Sequence, residues 1–256
     1  MIKLQFITAL AAAGLAAGLG GCTSNNQLDA PRANLAAAVA ASTSQAAQLE
    51  RKMTDQDIAD LLDLDVKAKL PTSLAVAKLE SRSPALPPTM ATPGTHELEG
   101  WRRIAAKYPD AIEGVHPVSG LAVSYGQGRQ GPTLRDLREA AARMHCELLL
   151  VYVQGDSSVE NYNNSAALYW TGVGLWLASG TDLEHATAMQ AALIDCRTGA
   201  ILGTVWADSQ QKAVCAAAYK GITESRLAAA SQGETMGELQ QAFGPLLEAV
   251  IVKARE

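Results

Sequence analysis

The alternation of apolar and polar positions resolves into distinct elements beyond Leu70-Pro71. Residues Ser73-Leu74-Ala75-Val76-Ala77-Lys78-Leu79-Glu80 are apolar on both faces, the pattern of a buried strand. Pro84, Pro87, Pro88 and Pro93 then predict a loop. Thr95 can cap a helix in which Leu98, Trp101, Ile104, Ala105 and Tyr108 share one face before Pro109. Ile112 to Val118 reads as a second strand, placed at an edge by Pro117, and a glycine-rich loop runs from Gly120 to Gly131. Thr133-Leu134-Arg135-Asp136 has capping-box spacing in acidic form, and Leu134, Leu137, Ala141 and Met144 continue as a stripe. That helix leads directly into Glu147 to Val153, nearly continuous in apolar residues and suited to a central strand. Thr187 to Asp195, the turn Cys196-Arg197-Thr198-Gly199 and Ala200 to Ala207 predict a β-hairpin. Leu239, Phe243, Leu246, Leu247 and Val250 stripe a last helix, kinked or restarted at Pro245. The expected fold is α/β in the α+β sense: a small mixed sheet in the order β-α-β-α-β-β-β-α, with helices packed on it.

The residues before Leu70 follow another logic. Met1-Ile2-Lys3 and an apolar run from Leu4 to Leu19 close on Leu19-Gly20-Gly21-Cys22. A positive end, a short apolar middle and small residues before a cysteine make an exported, cleaved segment, too short for a comfortable membrane span. The motif resembles the lipobox of bacterial lipoproteins. That resemblance implies a signal peptide over 1–21, diacylglycerol on Cys22, and, because Thr23 rather than Asp follows, delivery to the periplasmic face of the outer membrane. Two acyl chains, each contributing about 0.8 kcal/mol per buried methylene, would anchor the chain for good. Residues 22–69 read as an alanine-rich tether: Asn34 to Met53 has helical propensity, and Thr54 to Asp57 can cap a short helix through Leu62. Residues 70–256 then form a single domain.

Composition narrows the function classes. Net charge is −5, and loss of Lys3 with the signal peptide would make it −6, so no nucleic-acid partner is expected. Hydrophobic residues are 48% of the chain but aromatics only 5%, so the core must rest on Leu, Val, Ile and a few Trp. Past Cys22, three cysteines remain in a compartment where disulfides persist. Cys146 begins the central strand and Cys196 ends the next one. If those strands are antiparallel neighbours, a Cys146–Cys196 disulfide is geometrically possible, and three buried thiols are the equal alternative. No C-x-x-C and no zinc-finger spacing occurs, and His96, His116, His145 and His185 stand singly, so no metal and no cofactor is expected.

No catalytic residue is assigned. G-x-S-x-G is absent, and Asp195 and Glu147 read as strand-end carboxylates. Gly126-x-Gly128-x-x-Gly131 has dinucleotide-loop spacing but no clean strand before it. An envelope hydrolase would require Arg135, Asp136 and this loop to converge.

The order of elements around Leu148 to Val153 and Ala192 to Gly199 resembles periplasmic lipoproteins of the CsgG/TolB-N-like group. Leu168-Tyr169-Trp170-Thr171-x-Val173-Gly174 followed by that hairpin is similar to the uncharacterised rhombotarget lipoproteins. Neither resemblance carries catalytic residues. Within the excursion 155–184, the run from Ala166 to Ser179 is the most apolar stretch after the signal segment. As a strand it would put Trp170 and Trp176 on one face, either in the core or toward a partner; as a tilted membrane strand it would suit an oligomeric secretion-channel subunit. Tyr169, Trp170, Leu175 and Trp176 are the candidate contacts to membrane or partner. The resulting expectation is a non-enzymatic envelope binding or assembly module, bound to the membrane through its N-terminal lipid and engaging an envelope protein or its own copies.

Overall fold

The computed structural model describes residues 63, 66–81, 87–123 and 131–255. The expected lipidation site Cys22, nearly all of the 22–69 tether, Pro84 and the Gly126-x-Gly128 part of the glycine loop lie outside the described residues. The expected mixed sheet with packed helices is present, with six strands: β1 (Thr72–Ser81), β2 (Thr89–Ala91), β3 (Ile112–Pro117), β4 (Leu148–Tyr162), β5 (Thr181–Asp195) and β6 (Ile201–Cys215). The helices are α1 (Thr95–Ala105), α2 (Leu134–Arg143), α3 (Gly174–Leu177) and α4 (Lys220–Arg255). Lateral order is β2-β1-β4-β5-β6, with β3 also on β1. β1 runs parallel to β3 and β4; the remaining pairs are antiparallel. β3 is an edge strand, as Pro117 requires.

Alternation along β1 and β4 sorts side chains between two cores. Leu74, Val76, Leu148, Leu150 and Tyr152 face α1 and α4, meeting Trp101, Phe243 and Leu247. Trp101 packs edge-on to Phe243 at 5.3 Å and tilted against Tyr152 at 5.8 Å. On the opposite face Ala75, Ala77, Leu149 and Val153 cover Leu137, Ala140 and Ala141 of α2. Both faces of β4 are therefore buried over its first half, which is why that half reads as continuously apolar.

Several boundaries differ from expectation for identifiable reasons. β2, only three residues long, carries no period and was not foreseen. Gly94, not Thr95, is the N-cap of α1, and its amide donates to Glu97 Oε2 at 2.7 Å. The Thr133–Asp136 capping box forms as read, but Leu134 points to solvent. α2 ends with His145 in the left-handed region (φ 58°), its amide donating to Ala142 and that of Cys146 to Ala141. This cap, made without glycine, turns the chain from α2 into β4 within a few residues. β4, β5 and β6 each run to 15 residues, well past the apolar stretches that announce them. α4 is one helix of 36 residues through Pro245, so no restart occurs there.

One carboxylate joins the two parallel strands to α1. Glu97 accepts from the Lys78 ammonium on β1 (2.9 Å), the Tyr152 hydroxyl on β4 (2.9 Å) and the Gly94 amide. Burial and this carboxylate both push the Tyr152 phenol above its ordinary range. Removing Glu97 would strand Lys78, whose side chain is 11% exposed, beside an uncapped helix. Glu97→Ala is expected to cost about 3 kcal/mol in urea-denaturation stability, as expected for a buried pair broken on one side.

Candidate binding surface

β1 ends at Ser81, opposite Gly155, while β4 continues beside β5 to the pair Tyr162–Thr181. The two strands thus project past the parallel part of the sheet, and the chain between them closes the end. This closure is not extended. It consists of a 3₁₀ helix, Asn164–Thr171, followed by α3, so the segment does not form the expected strand carrying both tryptophans. The reason is close backbone approach: a Cβ on Gly174 would strike the Leu168 carbonyl, and one on Gly180 the Ala166 backbone. Among the described residues, no helix is long and apolar enough to cross a membrane.

Two polar side chains hold the cap. Asn163 accepts from the Ser165 amide at 2.9 Å and donates to Ser179 O and Asp182 Oδ1, each at 3.0 Å. Tyr169 turns inward: its hydroxyl lies 2.8 Å from Thr181 Oγ1 and accepts from the Gly180 amide at 3.0 Å. Of the four candidate contact residues, Tyr169 is therefore an anchor for the cap. The others face outward. Trp170 is 95% exposed, Leu175 and Trp176 are exposed, and Leu168, Val173 and Leu177 extend the same apolar cap. Trp176 packs edge-on to Tyr219 at 6.1 Å. These residues are not core, which corrects the reading of the segment as a core strand. An exposed tryptophan leaves on the order of 5 kcal/mol of burial free energy unused.

Charge is nearly absent from the cap. From Asn161 to Leu183 the only charged residue is Asp182. Below it, Lys212 pairs with Glu184 at 2.6 Å and Lys220 with Glu160. Hydrogen bonds from Lys220 and Tyr162 hold the Glu160 carboxyl below its ordinary range.

The residues weighed for chemistry have structural occupations. Asp136 Oδ2 accepts from the Thr133 amide and hydroxyl at 2.8 Å. Asp195 Oδ2 accepts from the Thr198 amide at 2.8 Å, and Glu147 receives Arg197 Nη2 on both oxygens at 2.8 and 3.0 Å. Arg135 is exposed. Among the described residues no group of three or more His, Cys, Asp or Glu could hold a metal ion.

Cys146 and Cys196 come to the same end of β4 and β5, as that antiparallel pairing requires, and line one shallow cavity with His145 and Arg197. Both, like Cys215, are buried free thiols, and no bridge joins them. Burial raises the Cys146 thiol, and burial followed by the nearby Asp195 pushes Cys196 up to about 12.

Two measurements follow from this arrangement. Trp170→Ser should change thermal stability by less than about 0.5 kcal/mol, whereas Tyr169→Phe, which removes the hydroxyl that joins Thr181 Oγ1 and the Gly180 amide, should cost about 1 kcal/mol. In reduced protein at pH 8, Cys196 should react with iodoacetamide far more slowly than in urea, and its native rate should climb about tenfold per pH unit through pH 10.

No family model matches the chain, and no curated protein matches it. Among solved structures it is similar to the LpoB C-terminal domain from Salmonella enterica, at 16% identity over 60% of this chain and 93% of that one, with a TM-score of 0.27. It is also similar to lipoprotein GNA1162 from Neisseria meningitidis, at 13% identity over 56% of this chain and 85% of that one, TM-score 0.28. A third likeness is to the PelC dodecamer from Paraburkholderia phytofirmans, at 14% identity over 72% of this chain and 94% of that one, TM-score 0.28.

Proposed function

We propose that the chain is a lipoprotein of the cell envelope, anchored to the periplasmic face of the outer membrane through Cys22, and that it is a non-enzymatic binding or assembly module. In this reading residues 1–21 are removed, residues 22–69 are the tether, and residues 70–256 are the working domain.

The observation that carries the reading is the exposed cap, with Trp170 at 95% and Leu177 at 78% exposure on a scaffold fastened by Asn163 and Tyr169. A rigid aromatic anchor with apolar neighbours is the make-up of a protein-binding hot spot. A protein partner fits better than a lipid surface. Anionic headgroups are drawn by clustered Lys and Arg, and here Lys212 and Lys220, the lysines below the cap, are engaged by Glu184 and Glu160.

The test is a photo-crosslinking residue at position 170 of the lipidated protein in living cells. The reading predicts one discrete adduct with another envelope protein, or with a second copy of this chain, that Leu177→Asp abolishes while the unlinked protein stays abundant. Adducts to lipid alone, or none at all, would remove the cap from the function.

A further inference from the structure

Three cysteines follow Cys22, and the fold sorts them. Cys215 ends β6 opposite Thr181, the first residue of β5, in the small cluster with Leu183 and Leu227. Cys196 follows Asp195 at the other end of β5, so about 14 strand residues, roughly 45 Å, separate the two. Cys215 can therefore pair with neither of the others within one chain.

Cys146 and Cys196 meet instead. The β4–β5 ladder closes with Leu148 opposite Asp195, and one residue further out the Cys196 amide donates to the Glu147 carbonyl at 2.9 Å. Cys146 is the next residue along. One strand step of about 3.3 Å across a pair spacing of about 4.5–5.5 Å gives a Cα separation of about 6 Å, inside the window of about 4.4–6.8 Å that a disulfide needs. In a regular ladder such diagonal neighbours point to opposite faces. Here the left-handed His145 sets Cys146 outside the strand, and its side chain joins the apolar cluster that also holds Cys196.

Both backbones are already fixed to α2. The Cys146 amide donates to the Ala141 carbonyl at 3.0 Å, and Arg138 Nε donates to the Cys196 carbonyl at 3.0 Å. Joining the sulfurs asks for little beyond side-chain rotation. The Cys146 thiol donates to the Met144 carbonyl at 3.6 Å, and both cysteines line a cavity of about 290 Å³ open to solvent, with the exposed His145 and Arg197. A small disulfide reagent can reach them there.

We propose that Cys146 and Cys196 are a disulfide site, whose oxidation ties the junction of α2 and β4 covalently to the turn between β5 and β6. The oxidant is a disulfide, R–S–S–R. One cysteine, as thiolate, attacks it and expels one RS⁻; the other, having lost its proton, attacks the mixed disulfide and expels the second. The two protein thiols are oxidised to one S–S bond, and the reagent is reduced to two RSH. Burial raises both thiols, and Asp195 and then Cys146 add to it at Cys196. Little thiolate makes the first attack slow at neutral pH, and sulfurs of high pKa are poor leaving groups once joined. The bridge thus forms slowly and then resists reduction. The chemistry belongs to the domain and stands whether or not the chain is exported.

The test is incubation of the native full-length protein with oxidised glutathione at pH 8.5, followed by alkylation in urea and digestion with trypsin and a glutamyl endopeptidase. That pair of enzymes is needed because no Lys or Arg lies between Arg143 and Arg197; it places the three cysteines on residues 144–147, 185–197 and 213–220. The expected product joins 144–147 to 185–197, with Cys215 alkylated. The oxidised protein should also unfold at a urea concentration about 1 M higher than the reduced protein, since the bond closes a loop of about 50 residues. That difference should vanish in Cys146→Ala and persist in Cys215→Ala. Should Cys146→Ala not fold, the peptide map of the unsubstituted protein decides alone. The proposal is overturned if all three thiols remain alkylatable, if a glutathione adduct persists at Cys146 or Cys196, or if the bridge forms only after urea has unfolded the chain. An intramolecular bond to Cys215 overturns it as well.

Discussion

β4 has two neighbours of unequal length, and much of the molecule follows from that mismatch. On one side β1 accompanies it in parallel only as far as Gly155; on the other β5 accompanies it antiparallel for all 15 residues. Parallel strands need a crossover to return the chain, so β1 and β4 are separated by α1, β3 and α2, whose apolar faces bury the shared part of the sheet. The remaining antiparallel part needs only a local connection. The sheet is thus two-layered and doubly covered at one end and a projecting ribbon, covered by α4, at the other.

That division also places the polarity. Where β1 and β4 lie together, the α1 side of the sheet closes over aromatic packing, with Glu97 as its one charged node tying β1, β4 and the helix cap. Where β1 ends, the strand turns to Gln154, which donates to Asp156, and to Asp156, which accepts from Thr187 on β5 and Gln232 on α4. Apolar side chains return on the far side of this band as a small cluster of Leu183, Cys215 and Leu227. The cap beyond it is supported by hydrogen bonds more than by burial, which leaves its own apolar side chains facing outward.

The legible parts of the fold were those whose neighbours are close in sequence or whose burial is complete. The α1 and α2 faces, the first half of β4 and the turn at Arg197–Gly199 were written in period and composition, because one face or two faces of a continuous element meet the core. The second half of β4, the first part of β5 and the second half of β6 were not. Gly155-Asp156-Ser157-Ser158 has a turn's composition, and it is strand only because β5 supplies the ladder and α4 the cover, both from far along the chain. The candidate site was half legible: an apolar run rich in tryptophan marks the right residues. Their conformation was missed because nothing local in the sequence marks Gly174 and Gly180 as places where backbone meets backbone. Nothing in the sequence separated Tyr169, an anchor, from Trp170, its exposed neighbour.

α4 is held by its surroundings to an unusual degree. Gly221, Gly233, Gly237 and Gly244 lie along it with no described atom beyond the helix's own backbone within 4 Å of where a Cβ would be, so none is there to admit a neighbour. Each weakens a helix by about 1 kcal/mol relative to alanine, and Pro245 by more. A helix so composed has little tendency to form alone, and what fixes it is contact with β5 and β6 through Leu239, Phe243 and Leu247. The order of assembly follows: the hairpin must be in place before its cover can be, and until then the polar band is open to water. The last 36 residues of regular structure are accordingly the part of this fold that a nascent chain must wait longest to complete.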